Sequence, residues 1–92
     1  MGVTDRAAAL NDVMRRIERV KSGGFVELQT WKRDRSLLIV RDGHDSVTVH
    51  ERGFVKTCHR VDSKGLKKLL KVLLKREFPR SRKVRIRTGG ND

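Results

Sequence analysis

Cysteine is nearly absent. The single thiol, Cys58, excludes an internal disulfide and points to a reducing compartment, so the expected location is the cytoplasm. Long apolar runs are also missing. No segment approaches the roughly 20 residues needed to span a bilayer, and the first residues hold no hydrophobic stretch of the signal-peptide kind. Aromatic residues make up only 4% of the chain, so any base-stacking surface rests on two or three side chains. Amide residues are scarce too, with Gln29, Asn11 and Asn91 set against 37% charged residues. High charge with few amides is the direction taken by thermophile proteins.

The charge that is lacking is negative. Lysine and arginine total 23 against 11 acids, a formal charge of +12 over 92 residues. Residues 1–61 carry 12 basic and 8 acidic groups, whereas residues 62–92 carry 11 and 3. An excess gathered at one end suggests a polyanionic partner, nucleic acid before any other. A chain this short has a thin core, which favours a homodimer.

The stretch Asp62–Arg87 organises the rest. Asp62 or Ser63 is placed to cap a helix. Leu66, Leu69, Leu70, Leu73 and Leu74 recur at helical spacing, opposite Lys64, Lys67, Lys68, Lys71 and Lys75. Pro79, the one proline, ends the helix. Lys83 to Arg87 then alternates, with Val84 and Ile86 on one face and Lys83, Arg85 and Arg87 on the other. Three cations side by side repel one another unless an anion lies across them.

Earlier in the chain, Thr4 and Asp5 open a first helix whose seam is Leu10, Val13, Ile17 and Val20, ended by Gly23-Gly24. Strands are expected over Phe25–Lys32, Ser36–Arg41, Ser46–Glu51 and Phe54–Val61, joined by tight turns such as Asp42-Gly43. The run Leu37–Val40 suits a strand covered on both faces or set against a dimer partner. The resulting fold is α+β, in the order α-β-β-β-β-α-β. Its antiparallel sheet has two helices on one face and leaves an open basic face. Residues 1–88 form one domain, and residues 89–92 read as a flexible tail.

The open face carries the functional reading. Trp31 and Phe25 share a strand face and offer a platform for unpaired bases. Lys32, Arg33, Arg35 and Arg41 flank the first hairpin. With Lys83, Arg85 and Arg87 they make a basic track, provided the last strand pairs near the first or second. The expected function is sequence-tolerant binding of nucleic acid, single-stranded DNA or RNA before structured or double-stranded RNA. Phosphate contacts carry no sequence information. A protein-docking module is a further alternative.

Enzymatic readings are weaker. His44, His50, Cys58 and His59 lack the spacing of a zinc site, and Cys58 reads as a small buried hydrophobe. No glycine-rich phosphate loop is present. Neither a metal nor a cofactor is therefore expected. A small basic ribonuclease using His50 or His59 with Glu51 and nearby arginines is the enzymatic alternative.

The segment Lys75-Arg76-Glu77-Phe78-Pro79-Arg80-Ser81, followed by Lys83-Val84-Arg85-Ile86, resembles the ThermoDBP-related proteins, small single-strand-binding proteins of thermophilic archaea. The likeness covers the last third of the chain. It implies a helix-backed sheet, oligomerisation and sequence-tolerant binding in a cleft, with no catalytic residues. The helix–sheet–helix order also resembles the Alu-RNA-binding subunits of the signal recognition particle, from which the extra terminal strand departs.

Overall fold

The computed structural model describes residues 2–30, 35–53, 55–78 and 83–90, of which residues 2–7 are described by backbone alone. The order is β1 (Gly2–Asp5), α1 (Arg6–Arg19), β2 (Phe25–Thr30), β3 (Ser36–Arg41), β4 (Ser46–Arg52), β5 (Lys56–Asp62), α2 (Ser63–Glu77) and β6 (Lys83–Gly89). All pairings are antiparallel, and the sheet runs β1-β6-β2-β3-β4-β5. The expected α-β-β-β-β-α-β order is present, with both helices on one face and the sheet unclosed. An additional edge strand, β1, precedes it. Four residues are too few to display a period, and Thr4 and Asp5, expected to open the helix, belong to this strand.

Alternation decides which side chains the helices cover. Val26, Leu28, Leu37, Ile39, Val47, Val49, Val84 and Ile86 are buried and form one cluster with Ala9, Val13 and Ile17 of α1 and Leu66, Leu70, Leu73 and Leu74 of α2. α1 lies over β6, β2 and β1, while α2 lies over β4 and β5. Burying a leucine or isoleucine side chain contributes roughly 1.5–3 kcal/mol, so this layer supplies most of the driving force. Phe78, fully buried, closes α2, its N–H donating to the Leu74 carbonyl at 2.8 Å. Pro79, the expected helix stop, lies outside the described residues.

Local chemistry fixes the ends. Asp62 is the N-cap of α2 and accepts from the Gly65 N–H at 2.8 Å. Gly23 sits at φ 90°, where a side chain would be strained. There the loop after α1 turns back so that the Gly23 N–H donates to the Arg41 carbonyl at 2.7 Å. β6 continues to Gly89, which pairs with Phe25, so Gly89 belongs to the sheet and not to a tail. Leu38 and Val40 of the apolar run are half-buried on the uncovered face.

Candidate nucleic-acid interface

β6 pairs with β2, which meets the condition for a shared track. Register then lays out the uncovered face row by row. One row reads Arg85, Gln29, Ser36, Arg52 and Lys56 across β6, β2, β3, β4 and β5. The next reads Arg87, Glu27, Leu38, His50 and Cys58, and the third Gly89, Phe25, Val40, Thr48 and Arg60. Phe25, Leu38 and Val40 thus form a low apolar floor. Cations stand on both sides: Lys83, Arg85 and Arg87 on β6, and Arg52, Lys56 and Arg60 on β4 and β5. β6 and β4 are three strand spacings apart, about 14 Å.

The two banks differ in how far their charge is already answered. Arg87 makes an ion pair with Glu27 of β2 at 3.0 Å. Its guanidinium also lies 5.5 Å from the Phe25 ring centroid, a cation–π distance. The Phe25 ring in turn rests on Gly89, where a side chain would collide with it. On the other bank, Arg52, Lys56 and Arg60 are exposed, and among the described residues none of them has an ion pair. The sequence did not single out these three, although their parity with Thr48 and His50 along the β4–β5 hairpin places them outward.

Lys83, Arg85, Arg87 and Phe25 are brought together on the uncovered face. Trp31, Lys32 and Arg33 lie outside the described residues. Arg35 and Arg41 do not join the track. Both share parity with Leu37 and Ile39 and turn to the helix side. Arg35 donates to the Glu77 carbonyl at 3.2 Å. The Arg41 guanidinium donates to the carbonyls of Ile17, Glu18 and Val20, each at 3.1 Å. It also reaches Gly43 at 3.2 Å and His44 at 3.1 Å. It therefore answers the unfilled carbonyls and negative dipole end of α1.

The histidines separate by face. His50 is on the uncovered side, its Nδ1 3.2 Å from the Cys58 Sγ. Cys58 is exposed, contrary to the expected small buried hydrophobe, because β5 is an edge strand and Cys58 falls on its uncovered face. His59 is on the helix side, with Nε2 3.2 Å from the Glu51 Oε1. Arg76 of α2 clamps the same carboxylate at 2.6 and 2.8 Å. Burial pushes the fully buried Glu51 carboxyl up, but its hydrogen bonds with Arg76, Glu77 and His59 and the Arg76 charge outweigh that and hold it at about 2. The same bond raises Arg76 above its usual value. Glu77, also buried, accepts from the Val55 N–H at 3.0 Å. Among the described residues no three His, Cys, Asp or Glu side chains converge as metal ligands would. No described helix is long and apolar enough to cross a membrane.

A third basic surface lies on α2. Lys64, Lys67, Lys68, Lys71 and Lys75 are exposed, and among the described residues none has an ion pair. The one acid of α2, Glu77, is buried. Like charges three and four residues apart destabilise a helix by roughly 0.2–0.5 kcal/mol per pair.

No protein-family model matches the chain, and no curated protein or solved structure matches it significantly. The fold and the placement of its charges therefore stand as the basis for assigning a function.

Proposed function

We propose that this protein binds nucleic acid without sequence specificity, with unpaired strands preferred, on the uncovered face of the sheet. The observation that carries the reading is a low apolar floor between two cationic banks, one of which has no ion pairs among the described residues. In this arrangement Leu38 and Val40, and the Phe25 ring once a base displaces the Arg87 guanidinium from it, would receive base faces, while Arg52, Lys56, Arg60, Lys83 and Arg85 would receive phosphates. Unpaired bases fit such a floor because every base offers a π-face. A duplex presents its phosphates outward and would meet the banks alone. The resemblance to single-strand-binding proteins points the same way, and a homodimer, tested by sedimentation, remains a separate proposal.

The test is a titration of a labelled unpaired oligonucleotide and its duplex at two salt concentrations. Tighter, salt-sensitive binding of the single strand is expected. Each phosphate contact on a single strand contributes about −0.7 to the logarithmic salt slope. Replacing Arg52, Lys56 and Arg60 together by alanine should therefore flatten the slope by about 2. Arg85→Ala should weaken binding to all sequences alike. Trp31 emission, followed in parallel, reports whether the β2–β3 hairpin senses the ligand. Absence of binding to either form at low salt would refute the proposal and favour a protein partner.

The ribonuclease reading retains one favourable observation, the contact between His59 and Glu51 beside Arg76. Against it, Glu51 is buried and held by Arg76. His50 is on the other face, so the two imidazoles are not placed to act on one substrate as acid and base. Discrete cleavage of labelled RNA in chelator, lost in His59→Ala, would instead support the enzyme.

A further inference from the structure

The lysine face of α2 is not explained by binding on the sheet. The helix rests on β4 and β5 through Leu66, Leu70, Leu73 and Leu74, so its opposite side points away from the sheet and from the uncovered face. A solvated helix commonly interleaves acids with its lysines. Here Lys64–Lys67, Lys64–Lys68, Lys67–Lys71, Lys68–Lys71 and Lys71–Lys75 are all like-charge neighbours at helical contact spacing. The exposed face holds no acid to separate them, and the one carboxylate at the start of the helix, Asp62, is engaged in the N-cap. The stripe runs about 16 Å along the axis. Its shape and sign fit a phosphate backbone lying lengthwise on the helix.

Two cationic faces thus stand back to back on a body whose shortest extent is 19 Å. At physiological ionic strength that is about two Debye lengths. A polyanion on one face therefore repels a second one on the other only weakly. We infer that the protein holds two nucleic-acid segments at once, an unpaired strand on the sheet and a second phosphate backbone along α2, and so bridges them. The inference rests on the sheet-face reading of the preceding section.

The experiment uses a single-stranded oligonucleotide fixed to beads, the full-length protein, and a second, fluorescent oligonucleotide added afterwards. Wild type is compared with the combined variant Lys67→Gln, Lys68→Gln, Lys71→Gln and Lys75→Gln. Glutamine matches lysine in helix propensity, and circular dichroism confirms that the variant is folded. Retention of the first strand within about threefold is expected, with capture of the second reduced at least about tenfold, because only the second strand loses its phosphate contacts. Capture of the second strand undiminished in the variant overturns the inference, and would show that copies of the protein bridge through their sheet faces. Wild type that binds the first strand and captures no second also overturns it, while leaving the sheet-face reading intact. Wild type that binds neither strand removes both.

Discussion

Glu51 should make the stability of this protein depend on acid in a way that one substitution erases. Its side chain is fully buried between β4 and α2, clamped by Arg76 and touched by His59. The folded-state value of about 2 lies below the usual glutamate value of 4.5. A carboxyl depressed in this way adds stability that is complete above the unfolded value and drains as pH falls through the folded one. The shift corresponds to at most about 3 kcal/mol, and roughly 2 kcal/mol of that is gone by pH 3. Small domains hold only about 5–15 kcal/mol in total, so the loss should be plain. Urea unfolding followed by far-UV circular dichroism, stepped from pH 7 to pH 3, should show the midpoint falling by about 1–2 M. Glu51→Gln should be less stable at pH 7, because it removes the charge that the buried carboxylate shares with Arg76 and His59. It should also lose the steep segment below pH 5. Asp45, whose carboxyl is lowered by its hydrogen bond with Ser63, is present in both proteins and drops out of the difference. Parallel stability curves for wild type and Glu51→Gln between pH 6 and pH 3 would refute the reasoning.

Two further substitutions test single structural roles. Arg41→Ala leaves the carbonyls of Ile17, Glu18 and Val20 without their donor, and should cost about 1–3 kcal/mol in urea melts; Arg41→Lys should recover only part, since one ammonium cannot replace the fork. Asp62→Ala removes the N-cap of α2 and should cost about 1 kcal/mol in urea melts.

The elements that follow local rules were legible in the sequence, and the contacts between distant elements were not. The leucine period of α2, its aspartate cap and the alternation of β4 all act within a few residues, and each appears where it was expected. The position of β6 between β1 and β2 rests on pairings between strands distant in the sequence, and β1 is too short to have a pattern of its own. Glu51 and Arg76 are 25 residues apart, and nothing in either segment announces that they meet. Arg35 and Arg41 are a different case. Both share parity with Leu37 and Ile39, so the alternation that buries those side chains also carries the two arginines inward. Their charge suggested a solvent-facing role, whereas their position in the strand already set them on the helix side. Cys58 yields to the same counting, since it alternates with His59 and Val61 and falls outward on an edge strand.

Net charge therefore says less about this protein than the location of charge that the fold leaves unanswered. Arg41 is held by backbone carbonyls, Arg76 by Glu51, and Arg87 by Glu27 and the Phe25 ring. A phosphate approaching Arg87 would have to displace Glu27 or leave that nearly buried carboxylate facing another anion. Such a cation contributes less to binding than its exposure suggests. Arg52, Lys56 and Arg60 on the sheet, and Lys67, Lys68, Lys71 and Lys75 of α2, have no ion pair among the described residues. Their mutual repulsion is present in the free protein and would be relieved when an anion arrives. On the proposed reading, the electrostatic drive is greatest at the cations of β4, β5 and α2 that have no ion pair among the described residues, and Arg87 of β6 adds less than its neighbours.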